Sequence, residues 1–336
     1  EVTYTNGEVE RICTDASWIS TTGEIRYSEL YHGEIIDKTI ARQEEKPAVF
    51  YPHTKEILKA QIDEAVRITQ RIKGQKRIIT PKQEVVIDFG QNLTGVVEFH
   101  TKQPRGTKIV ISHAEALDQD GNLYTANLRT AKCTDTFICS GELDYFRPKF
   151  TFHGFRYIRV TGMPDARKED FTAVLLTSQK ENAGDFVCSD ERLNRLYPNI
   201  RWSQYSNMMS VPTDCPSREK AGWTGDILIY ARTAMLNEQM TPFLKSWLHS
   251  VRMDQTADGT VMIVSPYMQL YDGMLRNVCQ TFGDADITGV AGWSDAIVWV
   301  PYDMYQMTGD TSVLTENYDA MKKWADNIIR TASQKE

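Results

Sequence analysis

The chain has 336 residues, of which 41% are hydrophobic and 25% charged, with a net charge of −7. That is the composition of an ordinary globular protein with apolar residues enough for two or three domains. The acidic balance, with no long block of like charge, argues against nucleic acid as the main partner, and no run is apolar for the ~18 residues that a membrane span needs.

In chain order, residues 1 to about 180 read as β structure. Short alternating runs such as EVVIDF (84–89), GVVEFHTK (95–102), TKIVISHAEAL (107–117) and FRYIRVTG (155–162) are separated by Gly, Pro and Asn turns. Strands at such close spacing point to antiparallel sandwiches rather than βαβ units. One stretch, 53–72, fits either a helix or strands, because its apolar residues are partly β-branched. Cys133 and Cys139 would share one strand face about 20 Å apart at ~3.3 Å per residue, beyond disulfide reach. The six cysteines therefore suggest no disulfide framework. With no CxxC or HExxH pattern and scattered histidines, neither a metal nor a cofactor is expected.

From about residue 183 the periodicity becomes helical. SDERLNRLYPNIRWSQYSN opens with Ser189 as cap and sets Leu193, Leu196 and Ile200 on one face, with Pro198 kinking or dividing the helix. TPFLKSWLHSV carries Phe243, Trp247, Leu248 and Val251. DTSVLTENYDAMKKWADNII carries Leu314, Tyr318, Met321, Trp324 and Ile328 at helical spacing, where aromatics and Met predict core. About five helices in the last 150 residues, joined by long acid-bearing loops, suggest part of a larger helical array.

Residues 214–226, DCPSREKAGWTGD, place Asp214, Glu219 and Asp226 on one loop in which Pro216, Gly222 and Gly225 prevent a continuous helix. Clustered carboxylates raise one another's pKa, which keeps one protonated as a general acid requires. Arg218 can fix a carboxylate or donate to hydroxyls, and Trp223 offers a flat face to a sugar ring. A plainer reading stands beside it: Asp226 and Asp214 as caps and Arg218–Glu219 as a surface pair. A second loop, 282–299, again joins Gly-Trp to acids, with Asp284, Asp286, Trp293 and Asp295 just before an apolar helix, and 265–274 adds Tyr267, Tyr271 and Asp272.

PTDCPSREKAGWTGD together with AGWSDAIVWVPYDMYQMTGD resembles the bacterial α-L-rhamnosidases, glycoside hydrolase family 78. VIDFGQNLTGVVEF, ISHAEALDQDGNLYTANLRTAKCTDTF and RPKFTFHGFRYIRVTG resemble the sandwich ahead of that family's catalytic domain. SWISTTGEIRYSELYHGEIID resembles the end of an accessory β domain before it. The resemblance implies three parts: residues 1–45 as the end of an accessory β domain, 46–182 as a β-sandwich, and 183–336 as the first part of an (α/α)6 barrel. It implies removal of terminal α-L-rhamnose with inversion. Glu219 matches the general acid; Asp214, Arg218 and Asp226 match residues that hold rhamnose hydroxyls. Trp223 and Trp293 match aromatic walls, and Asp295 joins the substrate-binding set.

The family's general base lies later in the barrel, so it is expected beyond residue 336, and the chain is expected to be a fragment at both ends. Many relatives carry one more residue between the Arg and the Gly-Trp, and Pro198 is unusual for them. The partner expected is a rhamnose-containing glycoside or polysaccharide, with no nucleic acid and no membrane. Aglycone, oligomeric state and compartment, bacterial cytoplasm or periplasm and beyond, stay open. Two other readings stay open as well: a non-catalytic carbohydrate-binding protein, and another inverting glycosidase on the same toroid.

Overall fold

A computed structural model describes residues 1–41, 45–54, 56–178, 181–268 and 289–333. Ten strands form its principal sheet. They are β1 (Ile25–Glu29), β2 (Gly33–Asp37), β3 (Arg67–Lys73), β4 (Lys76–Ile79), β5 (Val85–Lys102), β6 (Lys108–Ala114), β7 (Thr134–Ile138), β8 (Leu143–Phe146), β9 (His153–Thr161) and β10 (Phe171–Thr177). Their order is β1-β2-β7-β6-β9-β5-β10-β3, with β4 and β8 also on β5. All pairs are antiparallel except β2 with β7.

The eighteen-residue β5 explains the curl of this sheet. Its first part, Val85–Asp88, pairs with both β9 and β4, and its last part pairs with β10 and β8. Gly90 bends the strand at a positive φ of 77°, and a Cβ on Gly95 would stand 1.8 Å from the Val174 carbonyl oxygen, so β10 can approach only a glycine there. The two halves enclose a core rich in phenylalanine, in which the Phe99 ring lies 5.1 Å from Phe137, 5.3 Å from Phe146 and 5.2 Å from Phe171.

Two expectations change here. Of residues 53–72, only the end enters regular structure, as β3, and no helix forms over the described part of 53–66. Ile57, Leu58 and Ile62 are all exposed, so a helix would have had no apolar partner to stabilise it. The strands β1 and β2 lie before residue 45 yet belong to the same sheet as 67–177. Glu34 on β2 is buried, and its two carboxylate oxygens accept the amide N–H groups of Lys149 and Phe150 at 3.1 and 2.9 Å.

Five helices follow among the described residues: α1 (Glu191–Asn207), α2 (Thr224–Asn237), α3 (Thr241–Asp254), α4 (Ala296–Thr308) and α5 (Ser312–Ser333). Asp190, not Ser189, caps α1, accepting the Arg192 amide at 2.9 Å. Pro198 lies within α1, which continues unbroken past it. Gly309, at φ 72°, closes α4 in the left-handed conformation and lets the chain turn into α5.

The α3 stripe of Phe243, Trp247, Leu248 and Val251 is buried as its spacing predicts. In α1 the predicted face is not the buried one: Leu193 and Leu196 are exposed, while Arg201, Gln204 and Ser206 are buried. In α5 the buried stripe is Val313, Asn317, Ala320, Trp324 and Asn327, and Tyr318 is exposed. The polar members are hydrogen-bonded, one within the helix and one to a distant loop. Asn317 Nδ2 donates to the Val313 carbonyl at 2.7 Å, and Asn327 Nδ2 to the Asp258 carbonyl at 3.0 Å.

Candidate active site

The acid-rich loop leaves α1 through a two-residue bridge, Met208–Met209 against Val211–Pro212, and closes on itself before entering α2. The Asp214 amide donates to the Ala221 carbonyl at 3.0 Å, and the Ala221 amide returns to Asp214 Oδ1 at 3.2 Å. Between these ends the Lys220 amide donates to the Cys215 carbonyl at 3.1 Å, with Lys220 itself at a positive φ of 49°. Both glycines of the loop are required by close neighbours. A Cβ on Gly222 would meet the Ser265 carbonyl oxygen at 2.0 Å, and one on Gly225 would meet the Trp293 ring at 2.7 Å.

The loop is held from the sheet side. A Cβ on Gly154 of β9 would stand 2.6 Å from Pro216, and the Cys133 thiol donates to the Ser217 carbonyl at 3.4 Å. Lys220 is buried; its ammonium donates to the carbonyls of Leu30 and of Phe152, the latter at 2.5 Å, and lies 4.4 Å from the Phe152 ring centroid. Burial lowers its pKa to about 8.

Glu219 stands among donors. Trp223 Nε1 donates to its Oε2 at 3.1 Å, Arg129 Nη1 meets Oε1 at 3.1 Å, and Arg218 Nε lies 3.3 Å from the same oxygen. The pair Arg218–Glu219 is thus real, but Arg129 comes from the sheet region ninety positions away. Nothing local in the sequence marks Arg129. It stands just after a short 3-10 turn, Ala126–Leu128, at φ 54°.

Asp214 and Asp226 line a cavity of about 670 Å³ with Trp293, Ser203, Gln204 and Tyr230. Burial raises the pKa of Asp214, and the Glu219 charge adds to the shift. Burial also raises Asp226, followed by the charges of Asp214 and Glu219. The Glu219 charge thus adds to the shifts of both aspartates, and Asp214 to that of Asp226. Asp226 is not the helix cap: α2 starts after Trp223, and Asp226 sits in its first turn.

Asp295 lies elsewhere. Its oxygens accept the Gly292 amide at 2.8 Å and Trp324 Nε1 at 2.9 Å, and it does not line the cavity. Glu219, Arg218 and Trp223 are likewise outside the lining. Trp223 packs against the cluster of Ala221, Ile263 and Val264. Tyr271, Asp272, Asp284 and Asp286 lie outside the described residues.

Two of the scattered histidines meet beneath the loop, which no spacing in the sequence announced. His113 and His153 stack with ring centroids 4.1 Å apart and an interplanar angle of 25°. Asp135 lies 3.2 Å from His153 Nε2 and 3.8 Å from His113 Nε2, and all three side chains are buried. This is the one group with metal-ligand character among the described residues, its donor atoms within 4.8 Å of one another. A ligand lone pair lies in its ring plane, and planes so nearly parallel meet only well beyond the ~2 Å of a metal–nitrogen bond. The geometry fits a neutral stacked pair around one carboxylate better than an ion. Burial pushes His113 down to about 3 and His153 well below its usual range, and raises Asp135.

Comparison with known proteins gives matches along most of the chain. Three family models match: the α-L-rhamnosidase N-terminal domain over residues 1–70, the bacterial α-L-rhamnosidase concanavalin-like domain over 78–177, and the bacterial α-L-rhamnosidase six-hairpin glycosidase domain over 181–336. An α-L-rhamnosidase of Streptomyces avermitilis is 36% identical across 99% of this chain, and one of Formosa agariphila 34% identical across 96%. The chain spans 33% and 35% of those relatives' lengths, about a third.

Among solved structures, the Streptomyces avermitilis α-L-rhamnosidase complexed with L-rhamnose superposes with a TM-score of 0.83 at 35% identity, covering 96% of this chain and 31% of that one. The α-L-rhamnosidase of Dictyoglumus thermophilum gives 0.84 at 33% identity, covering 98% and 37%. In sequence and in fold, the chain belongs to the bacterial α-L-rhamnosidase family.

Proposed function

We propose that the protein containing this chain removes terminal α-L-rhamnose from rhamnosides by acid/base hydrolysis with inversion, and that Glu219 is the proton donor. The observation that carries the reading is the loop: the Glu219 charge adds to the raised pKa of both Asp214 and Asp226, which line a sugar-sized cavity walled by Trp293. In this reading Asp214, Arg218 and Asp226 bind rhamnose hydroxyls, and Trp223 and Trp293 flank the apolar face of the 6-deoxy ring. Asp295 serves the substrate through Trp293, whose loop it fastens.

Inversion needs a second carboxylate about 6.5–9.5 Å from the first, to activate water. The reading seeks it outside residues 1–336, since the relatives are about three times as long as the stretch they share with this chain. The domain partition proposed is 1–45, 46–182 and 183–336, the last being the start of an (α/α)6 barrel, with β1 and β2 lent to the sandwich. The chemistry needs no cofactor.

In the full-length protein, Glu219→Gln is expected to lower turnover of an aryl α-L-rhamnoside by about 10²–10⁴-fold. Near-wild-type turnover would overturn the assignment. A second reading, carbohydrate binding without cleavage, draws on the ion pairs at Glu219. A carboxylate held by Arg129 and Arg218 is a hydrogen-bond acceptor, so substrate has to part Arg129 from it before a proton can be given. If Glu219→Gln and the parent bind L-rhamnose alike and neither releases it from any rhamnoside, the binding reading prevails.

A further inference from the structure

A second cavity, of about 310 Å³, opens where the sheet meets α1. It shares Ser203 and Asn207 with the larger cavity, so the two adjoin along one helix. Its far wall is Asn92, from the bend of β5, and Glu115, just after β6; its rim is Pro216, three residues before Glu219. On α1 the residues Asn199, Trp202, Ser203 and Ser206 fall at offsets of three, four and seven, which is one helix face.

The walls are built for hydroxyl groups. Asn92 Nδ2 donates to Glu115 Oε1 at 3.1 Å, which orients the carboxylate and leaves its second oxygen open. The side chains of Asn199, Ser203 and Ser206 make no hydrogen bond to the protein among the described residues. Amides, hydroxyls and one carboxylate supply both donors and acceptors, and Trp202 supplies an apolar surface. The single charged group is an anion, so an acidic occupant would meet repulsion. The volume is at the small end of ligand pockets and suits one pyranose ring.

We propose that this cavity is the subsite for a neutral pyranose joined to the rhamnose, so that the sheet region selects the aglycone. The proposal rests on the glycosidase reading above. It makes the preferred substrates rhamnosyl disaccharides or longer glycans, in preference to rhamnosides of a flat aromatic alcohol. A sugar seated here reaches the larger cavity past Ser203 and Asn207 without leaving the surface of α1.

The test uses full-length protein with two variants outside the acid loop, Asn199→Ala and Glu115→Gln, the second keeping its side-chain shape. With α-L-rhamnopyranosyl-(1→6)-D-glucose, each variant should lose about tenfold or more in kcat/KM, while an aryl α-L-rhamnoside changes less than about twofold. Equal losses on both substrates, or no loss on the disaccharide, overturn the subsite. Calorimetry with the disaccharide on Glu219→Gln, with and without Glu115→Gln, separates this from the parent reading. If the parent hydrolyses neither substrate, the glycosidase reading falls. The subsite then stands if Glu115→Gln weakens disaccharide binding about tenfold without weakening that of L-rhamnose, and falls if it does not.

Discussion

The sheet region and the helical region bury comparable apolar clusters but close them differently. The long β5 wraps its neighbours around a phenylalanine core, so the sheet covers itself. The helices share a buried centre that includes Phe243, Trp247, Ile297, Val300 and Trp324, but several are apolar on a second side as well. Ile229 of α2 is 81% exposed, and Trp299 of α4 and Tyr318 of α5 are also exposed. A sheet can bring its own second layer; a helix with two apolar faces cannot say from its own sequence which one its nearest neighbour covers.

The hardest way to break this contrast is at the two centres. Phe99→Ala removes the ring that three other phenylalanines pack against and should cost about 3–5 kcal/mol. Ile229→Ala on the second helix face should change stability by less than about 0.5 kcal/mol in this chain. Urea unfolding with hydrogen exchange resolved by region reads both. Comparable losses would mean that the outer helix face is already covered.

This contrast also explains what could be read in advance. The alternating strands, the texture change near residue 183 and the α3 stripe were legible because one periodicity and one burial pattern coincide in each. The face of α1 was not, and that of α5 only at Trp324. Leu193, Leu196 and Tyr318 made as good a stripe as the true one, and the buried one contains polar residues whose partners come from elsewhere in the fold. At the site, Asp214, Asp226 and Trp293 meet around one cavity because they are local or share a motif. Arg129, the anchoring of Lys220 by Leu30 and Phe152, and the His113–Asp135–His153 cluster depend on chain crossings that no spacing encodes.

Acid should separate the regions next. His113 has a folded pKa of about 3, below its unfolded value near 6.5, so the unfolded chain binds the extra proton first. Stability is therefore lost as pH falls below about 6.5, by about 2–3 kcal/mol at pH 4.5 from this residue, and His153 adds in the same direction. Asp135 opposes them, since its raised pKa favours the folded state as it takes up a proton. Exchange in β6, β7 and β9 should quicken before exchange in α3 and α4. The reverse order would place the weak point in the helices.

Alkali tests the joint between the regions. Lys220 has a folded pKa of about 8 against 10.5, so its charged form weighs against folding below about pH 8. As pH rises from about 8 to 10.5, the folded protein has already released that proton, and the burden lifts. Relative to Lys220→Met, which has no proton to lose, the parent should gain about 1–3 kcal/mol across that window. A flat difference between the two would show that the ammonium is not buried against the Leu30 and Phe152 carbonyls.

The smallest effect concerns how the helices present their binding face. Both Asp295 oxygens are occupied, one by the Gly292 amide and one by the Trp324 indole. Asparagine keeps a single oxygen for two donors, so Asp295→Asn should cost about 1 kcal/mol in stability. If Asp295 acts only by fastening the loop that carries Trp293, L-rhamnose affinity in the full-length protein falls by less than about threefold. Asp214→Asn, whose side chain lines the cavity, then falls by tenfold or more. Should Asp295→Asn match the loss of Asp214→Asn, Asp295 binds the sugar directly, and the second Gly-Trp loop must move on binding to release it from Trp324.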